Sequence, residues 1–173
     1  MQDNQRQELQ YAYLAGLVDG EGCLRITRDL SPGIKKQGYA SPRYGCGITL
    51  HMVTREPLDF FASVFPDGYL VYEGVREDRP RQRPTYCWRC HNRFAVENLI
   101  GKIYKYLLVK KNQADLLLEY CRGYKRCQTL KGKDHSDELQ RREELYLKMK
   151  KLNAVGPAAT TNPRSIREYE VIV

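Results

Sequence analysis

No stretch of these 173 residues approaches the ~20 consecutive apolar positions that a bilayer-spanning helix needs. The N-terminus, MQDNQRQEL, also lacks the charged-then-apolar order of a secretory signal. An intracellular protein is expected. Histidine is scarce, at positions His51, His91 and His135 only, and although Asn92 follows His91 no paired spacing supports a His-Asn-His nuclease. No elbow motif presents a serine or cysteine nucleophile. Repeats of solenoid period and low-complexity tracts are missing too. Acids are outnumbered, 21 against 29 Lys and Arg, which leaves a net charge of +8 and a pI near 9.2. Such a surplus favours a polyanionic partner, with nucleic acid ahead of an anionic membrane because no segment is both strongly amphipathic and basic.

What is present suits one domain, and residues 1–155 read as a single unit followed by a tail, 156–173. Six cysteines in an intracellular chain should be mostly reduced and buried. Cys87, Cys90 and His91, with Cys121 and Cys127 further on, raise a zinc site. Positions 87 and 90 of a strand point to opposite faces, however, which argues against their sharing one ion. A Cys121–Cys127 bridge stays open for a hyperthermophilic source.

Periodicity sets out the elements. From about Gln7 to Asp19, Leu9, Tyr13, Leu14, Leu17 and Val18 recur at helical spacing as a packed face. Ala12, Gly16 and Gly20 form a second stripe with almost no side-chain volume, of the kind that admits another backbone closely. Strands are predicted over Cys23–Asp29 and about Arg43–Val53 from their alternation. Pro57 suits the first turn of a short helix through Phe65. Tyr69–Gly74 and Thr85–Cys90 read as a hairpin with an arginine-rich tip. Asn92 can cap a helix carrying Phe94, Leu99, Ile100 and Ile103. Another helix is predicted from near Lys110 to Gly123, and a last one from a Ser136 cap through Leu152. The order αββαββα implies an α+β fold: a four-stranded antiparallel sheet, helices on one side, and a polar, open face on the other.

The first helix ends in Glu21, where the helix dipole already places partial negative charge. A divalent cation would relieve that field, and a carboxylate with backbone carbonyls is a donor set that magnesium accepts. The thin stripe suggests that this helix end lies against a second copy of itself, so that two Glu21 side chains meet.

LAGLVDGEG, Leu14 to Gly22, resembles the signature of the LAGLIDADG homing endonucleases, here in a single copy, and KKNQA, Lys110 to Ala114, resembles the lysine-bearing segment of that family's homodimeric branch. The resemblance spans about Gln7 to Leu152. It implies a saddle-shaped homodimer on double-stranded DNA, with sheets in adjacent major grooves. Such an enzyme hydrolyses phosphodiesters on both strands of a long pseudo-palindromic target, leaving short 3′ overhangs. It would be intron-encoded and cytoplasmic in an archaeon or bacterium, or organellar. Glu21 and the carbonyl of Gly20 would ligate Mg²⁺, or another divalent such as Mn²⁺, with no organic cofactor, and Lys110 would stand by the scissile phosphate. Ala12, Ala15, Gly16, Asp19 and Gly20 would form the dimer interface. Asp19 caps or packs in the family's pattern and does not ligate. The usual water-organising glutamine is replaced by Thr54, with Arg55 as the candidate basic neighbour.

Polar faces of twisted strands fit the major groove, so Arg25, Thr27, Asp29, Arg43, Thr49, His51 and Arg89 are candidates for reading DNA. Arg76, Arg79, Arg81 and Arg83 on the hairpin tip are placed to clamp phosphate. The alternative from another class is a non-cleaving binder on the same scaffold, an intron-splicing RNA maturase or a transcription factor. Intact Glu21 and Lys110 favour cutting, because a carboxylate beside phosphates repels them unless a cation intervenes.

Overall fold

A computed structural model of the chain describes residues 2–29, 42–75, 83–125 and 132–154. Arg76, Arg79 and Arg81, Cys127 and the tail 156–173 lie outside the described residues. Helix α1 (Gln2–Glu21) runs into β1 (Gly22–Asp29), followed by β2 (Arg43–Met52), α2 (Glu56–Val64), β3 (Tyr69–Glu73) and β4 (Thr85–Cys90). Then come α3 (Arg93–Ile103), a 3₁₀ turn (Tyr104–Tyr106), α4 (Lys111–Arg122) and α5 (Gly132–Ala154). The four strands form one antiparallel sheet in the order β1-β2-β4-β3. The α+β architecture expected from the alternation is the one observed.

Strand parity decides which side chains meet the helices. Leu24 and Ile26 of β1, Cys46, Ile48 and Leu50 of β2, and Trp88 and Cys90 of β4 join a single buried cluster with the helices. From the helices come Leu14 and Val18, Leu58 and Phe61, Val96 and Ile100, Leu117 and Cys121, and Leu145 and Met149. Phe61 meets Trp88 edge-on with ring centroids 4.7 Å apart, and each such large side chain contributes about 1.5–3 kcal/mol by leaving water. Asn92 caps α3 as its sequence suggests, accepting the N–H groups of Phe94 and Ala95 at 2.9 and 3.3 Å. Cys90 belongs to the core while Cys87 lies on the opposite face, so the two do not share an ion.

Three expectations are corrected. Leu9 and Tyr13 are 68% and 50% exposed, because the core face of α1 is the narrower set Leu14, Ala15 and Val18. At 100° per residue, Leu9 and Tyr13 fall beside Gly16 and Gly20, so α1 carries apolar residues on two opposite sides. Phe94 is 67% exposed, with the Arg93 guanidinium 4.1 Å above its ring. Helix α5 begins at Gly132, a turn before Ser136, since the polar residues ahead of Ser136 extend the helix without adding to its apolar period.

Candidate active site and nucleic-acid interface

The end of α1 is built by glycine. A Cβ on Gly22 would lie 2.5 Å from the carbonyl oxygen of Val18, so only a residue without one lets the chain pass straight from helix to strand. Glu21 is thereby left exposed at a helix C-terminus with no basic residue in its last turn. Two residues earlier the side chain has another task. The Asp19 carboxylate accepts the backbone N–H of Leu108 at 2.7 Å and of Lys110 at 2.9 Å. Lys110 closes the loop by donating from its ammonium to the carbonyl oxygen of Asp19. Since α4 starts at Lys111 and Lys110 provides no side-chain cap, Asp19 supplies that cap from 91 residues away. The ammonium against the α1 carbonyl is also the favourable sign at a helix C-terminus.

The 3₁₀ turn just ahead of that segment is held as well, about three turns back along α1: Lys105 and Tyr106 both donate to Glu8. Lys110 is therefore fixed at the corner that carries Glu21. Thr54 lies at this end of the sheet as well, just beyond β2, whose Leu50 pairs with Gly22. Arg55 ion-pairs with Asp59 one turn on, at 3.0 Å. Glu21 makes no hydrogen bond or ion pair among the described residues. Its carboxylate and the carbonyl of the exposed Gly20 are oxygen donors at the negative end of a helix, a chemistry that fits a hard divalent cation.

Among the residues expected at a dimer interface, Gly16 and Gly20 are exposed and a Cβ on either would meet nothing within 4 Å. Ala12 and Asp19 are half-buried. Ala15 is corrected: at 0% exposure it packs into its own chain's core and has no surface to offer a second copy.

The sheet face away from the helices carries Arg25, Thr27, Asp29, Arg43, Thr49, His51 and Arg89, as strand parity predicts. Arg83 is exposed just ahead of β4. Thr49, however, is only 2% exposed and forms the floor of this face beneath its neighbours, so direct base reading by it is corrected. Arg25, on the edge strand β1, has its Nε buried and without a hydrogen-bond partner, an unusual state for a guanidinium. Burial, then the charges of Arg89 and Arg25, holds the His51 imidazole below its ordinary pKa; burial, then Arg25 and Arg89, does the same for His91. Both rings are thus neutral at neutral pH and meet a partner as hydrogen-bonding groups.

Three further members of this face owe their neighbours to the strand pairing. A Cβ on Gly47 would lie 2.6 Å from Nδ1 of His91, so the glycine is the seat of that ring. Glu73 of β3 binds the Arg89 guanidinium, and Cys87 sits directly across from His51. These neighbours follow from the pairing of β4 with both β2 and β3, a register that parity alone leaves open.

No protein-family model and no curated protein matches this sequence. Solved structures do match. The homing endonuclease I-CvuI, in complex with its target in the presence of Ca, is similar at 19% identity and a TM-score of 0.64, over 85% of this chain and 83% of that one. The archaeal intron-encoded homing endonuclease I-Vdi141I, complexed with DNA, is similar at 16% identity and 0.64, over 86% of each chain. The LAGLIDADG homing endonuclease I-GzeII with its DNA target is similar at 13% and 0.61, but this chain spans 43% of its length. The chain therefore has a homing-endonuclease fold, a scaffold that binds DNA in those structures. More particularly, its single LAGLVDGEG segment occupies the last two turns of α1 and the helix-to-strand step, so the resemblance to LAGLIDADG homing endonucleases holds at the level of the fold as well as the motif.

Proposed function

We propose that this chain is a site-specific, metal-dependent DNA endonuclease of the LAGLIDADG homing type, working as a homodimer of the single-motif, intron-encoded branch, with residues 1–155 as its one domain. The observation that carries the proposal is the corner formed by Asp19, Lys110 and Glu21. A cap donated across 91 residues ties the end of the signature helix to the lysine segment, so that the exposed Glu21 and the Lys110 ammonium belong to one corner of the molecule. A pure binder has no use for that carboxylate next to phosphates.

Glu21 and the Gly20 carbonyl are the residues that would hold Mg²⁺ or Mn²⁺. Bound there, the ion supplies an activated water and charge neutralisation at the leaving oxygen. Lys110 offsets charge on the scissile phosphate, and Thr54, with its hydroxyl, orders water at the same end of the sheet. The second side of α1 supports the dimer: Leu9 and Tyr13 flank the open Gly16 and Gly20 edge, and Leu108 and Val109 beside Lys110 are 86% and 73% exposed. Apolar surface of this kind is what a second copy would cover. Arg25, His51 and Arg89 face the major groove in this arrangement, with Arg43 and Arg83 toward the backbone.

The test is a supercoiled plasmid carrying the joined exons of the interrupted host gene, incubated with Mg²⁺ or with EDTA. Linear product with Mg²⁺ alone, bearing 3′ overhangs, is expected. Retention of the plasmid in a gel without cutting under any divalent ion would leave the maturase or transcription-factor alternative standing.

A further inference from the structure

The polar side of the sheet holds a cluster that the candidate catalytic corner does not use, built around His51, one of the candidates for reading DNA. His51 of β2 and Cys87 of β4 are register partners, with His51 Nε2 3.5 Å from Cys87 Sγ. His51 Nδ1 lies 3.6 Å from the carboxylate of Glu73 on β3. One donor atom from each of the three residues lies within 4.8 Å of the others. The Arg89 guanidinium spans two of these donors, with Nε 3.1 Å from Cys87 Sγ and Nη2 on Glu73.

We propose that His51, Glu73 and Cys87 form a zinc-binding site on the nucleic-acid face, distinct from the hard-cation corner at Glu21. The donor types decide the metal. A thiolate, an imidazole and one carboxylate select a borderline-soft ion, where magnesium prefers oxygen alone. Distances agree too. Tetrahedral zinc, with bonds of about 2.3 Å to sulfur and 2.0–2.1 Å to nitrogen, sets neighbouring donors about 3.5 Å apart, which is the separation His51 and Cys87 already have. Adjacent central strands hold those two ligands in register, and Glu73 needs only a rotamer change to complete three. Three protein ligands leave a fourth position open to water.

Binding would proceed with loss of the Cys87 thiol proton and displacement of Arg89 from both of its partners. The displaced guanidinium, no longer tied to Glu73, becomes free for phosphate or a base edge. Zinc occupancy thus couples to nucleic-acid affinity. That consequence rests on the DNA-binding role proposed above, whereas the metal site does not, so the two are tested apart.

Without DNA, the purified chain is titrated with Co²⁺ in excess Mg²⁺, following the thiolate-to-cobalt charge-transfer band in the near ultraviolet. A band saturating at one ion per chain and bleached by zinc is expected. It should be lost in Cys87→Ser, weakened by about tenfold or more in affinity in the exposed His51→Gln variant, and kept in Cys23→Ser. Absence of the band, or a band that survives Cys87→Ser, would overturn the site. In a second arm, zinc should tighten binding to non-specific duplex severalfold in wild type and not in Arg89→Ala. An equal gain in both proteins would overturn the coupling through Arg89.

Discussion

Glu21 and Asp19 sit two residues apart on one helix end and have opposite tasks, a division that their environments make plain. Asp19 spends both carboxylate oxygens on the backbone of Leu108 and Lys110, so it is unavailable to an ion. Removing that charge should loosen the whole corner: Asp19→Ala is expected to lower stability by about 2 kcal/mol, read as a shift of the urea midpoint, since two charge-assisted bonds to backbone are lost. A midpoint equal to wild type would show the cap to be dispensable. Glu21 is exposed and unengaged. Glu21→Gln should therefore fold with unchanged stability and bind DNA while cutting drops to background; retained cutting in a plasmid assay would remove Glu21 from the metal site. Lys110→Ala should slow single-turnover cleavage with little change in affinity. The signature made Glu21 legible from sequence, and KKNQA made Lys110 legible, but their junction was not. A cap donated across 91 residues leaves no local pattern in the chain.

At the scale of elements, the strands were readable because one face is buried and the other polar, a period of two that a slip would destroy. Helix α1 was harder. Its apolar residues divide between two opposite faces, and a reading that seeks one stripe assigns Leu9 and Tyr13 to the wrong side. The outer face yields a discriminating experiment. A Cβ at Gly16 meets nothing in a single chain, so Gly16→Ala should gain about 0.5–1 kcal/mol of helix stability if the chain acts alone. If a second copy packs there, Gly16→Leu should separate the dimer in a sedimentation run while leaving the monomer's circular dichroism intact. Helix α5 is fastened by charge. Arg28 and Tyr44 both reach Glu143 at 2.5 Å, and Arg142 binds Glu138 at 2.7 Å where both are 4% exposed. Burial alone would raise the Glu138 pKa, but hydrogen bonds from Arg141 and Arg142 outweigh it and hold the carboxyl below its ordinary range. A folded-state pKa below the unfolded one contributes stability that is complete above the unfolded value of about 4.3 and is lost as pH falls through the folded value. Denaturation in acid should accordingly be less steep with pH in Glu138→Gln, and that variant should be weaker by about 2 kcal/mol at neutral pH.

For the whole molecule, one sheet separates two kinds of work: helices bury its apolar face, and the other face gathers Arg25, Arg43 and Arg89 with Arg83 at its edge. A net charge of +8 that looks diffuse along the chain is thus partly concentrated on one surface. Such a surface releases counterions when it meets DNA, so affinity should fall along a straight line of log K against log salt, with a slope of about −0.9 for each phosphate neutralised. The variants then sort by place on the face. Arg83 lies beyond the strand, where a duplex presents backbone, so Arg83→Ala should weaken binding to every sequence alike and flatten the slope by about one unit, the share of the single phosphate it would neutralise. Arg25 projects from the edge strand β1 onto the polar face, with a buried, unpartnered Nε, and base edges would arrive on that face. Arg25→Ala should relax preference at particular target positions by about 1–3 kcal/mol while changing the slope little. Both are measured by fluorescence anisotropy over a salt series on the exon-junction duplex and on single-base variants of it. If Arg25→Ala flattened the slope and left the base preferences untouched, the polar face at β1 would be a phosphate surface and the groove-facing arrangement would be wrong.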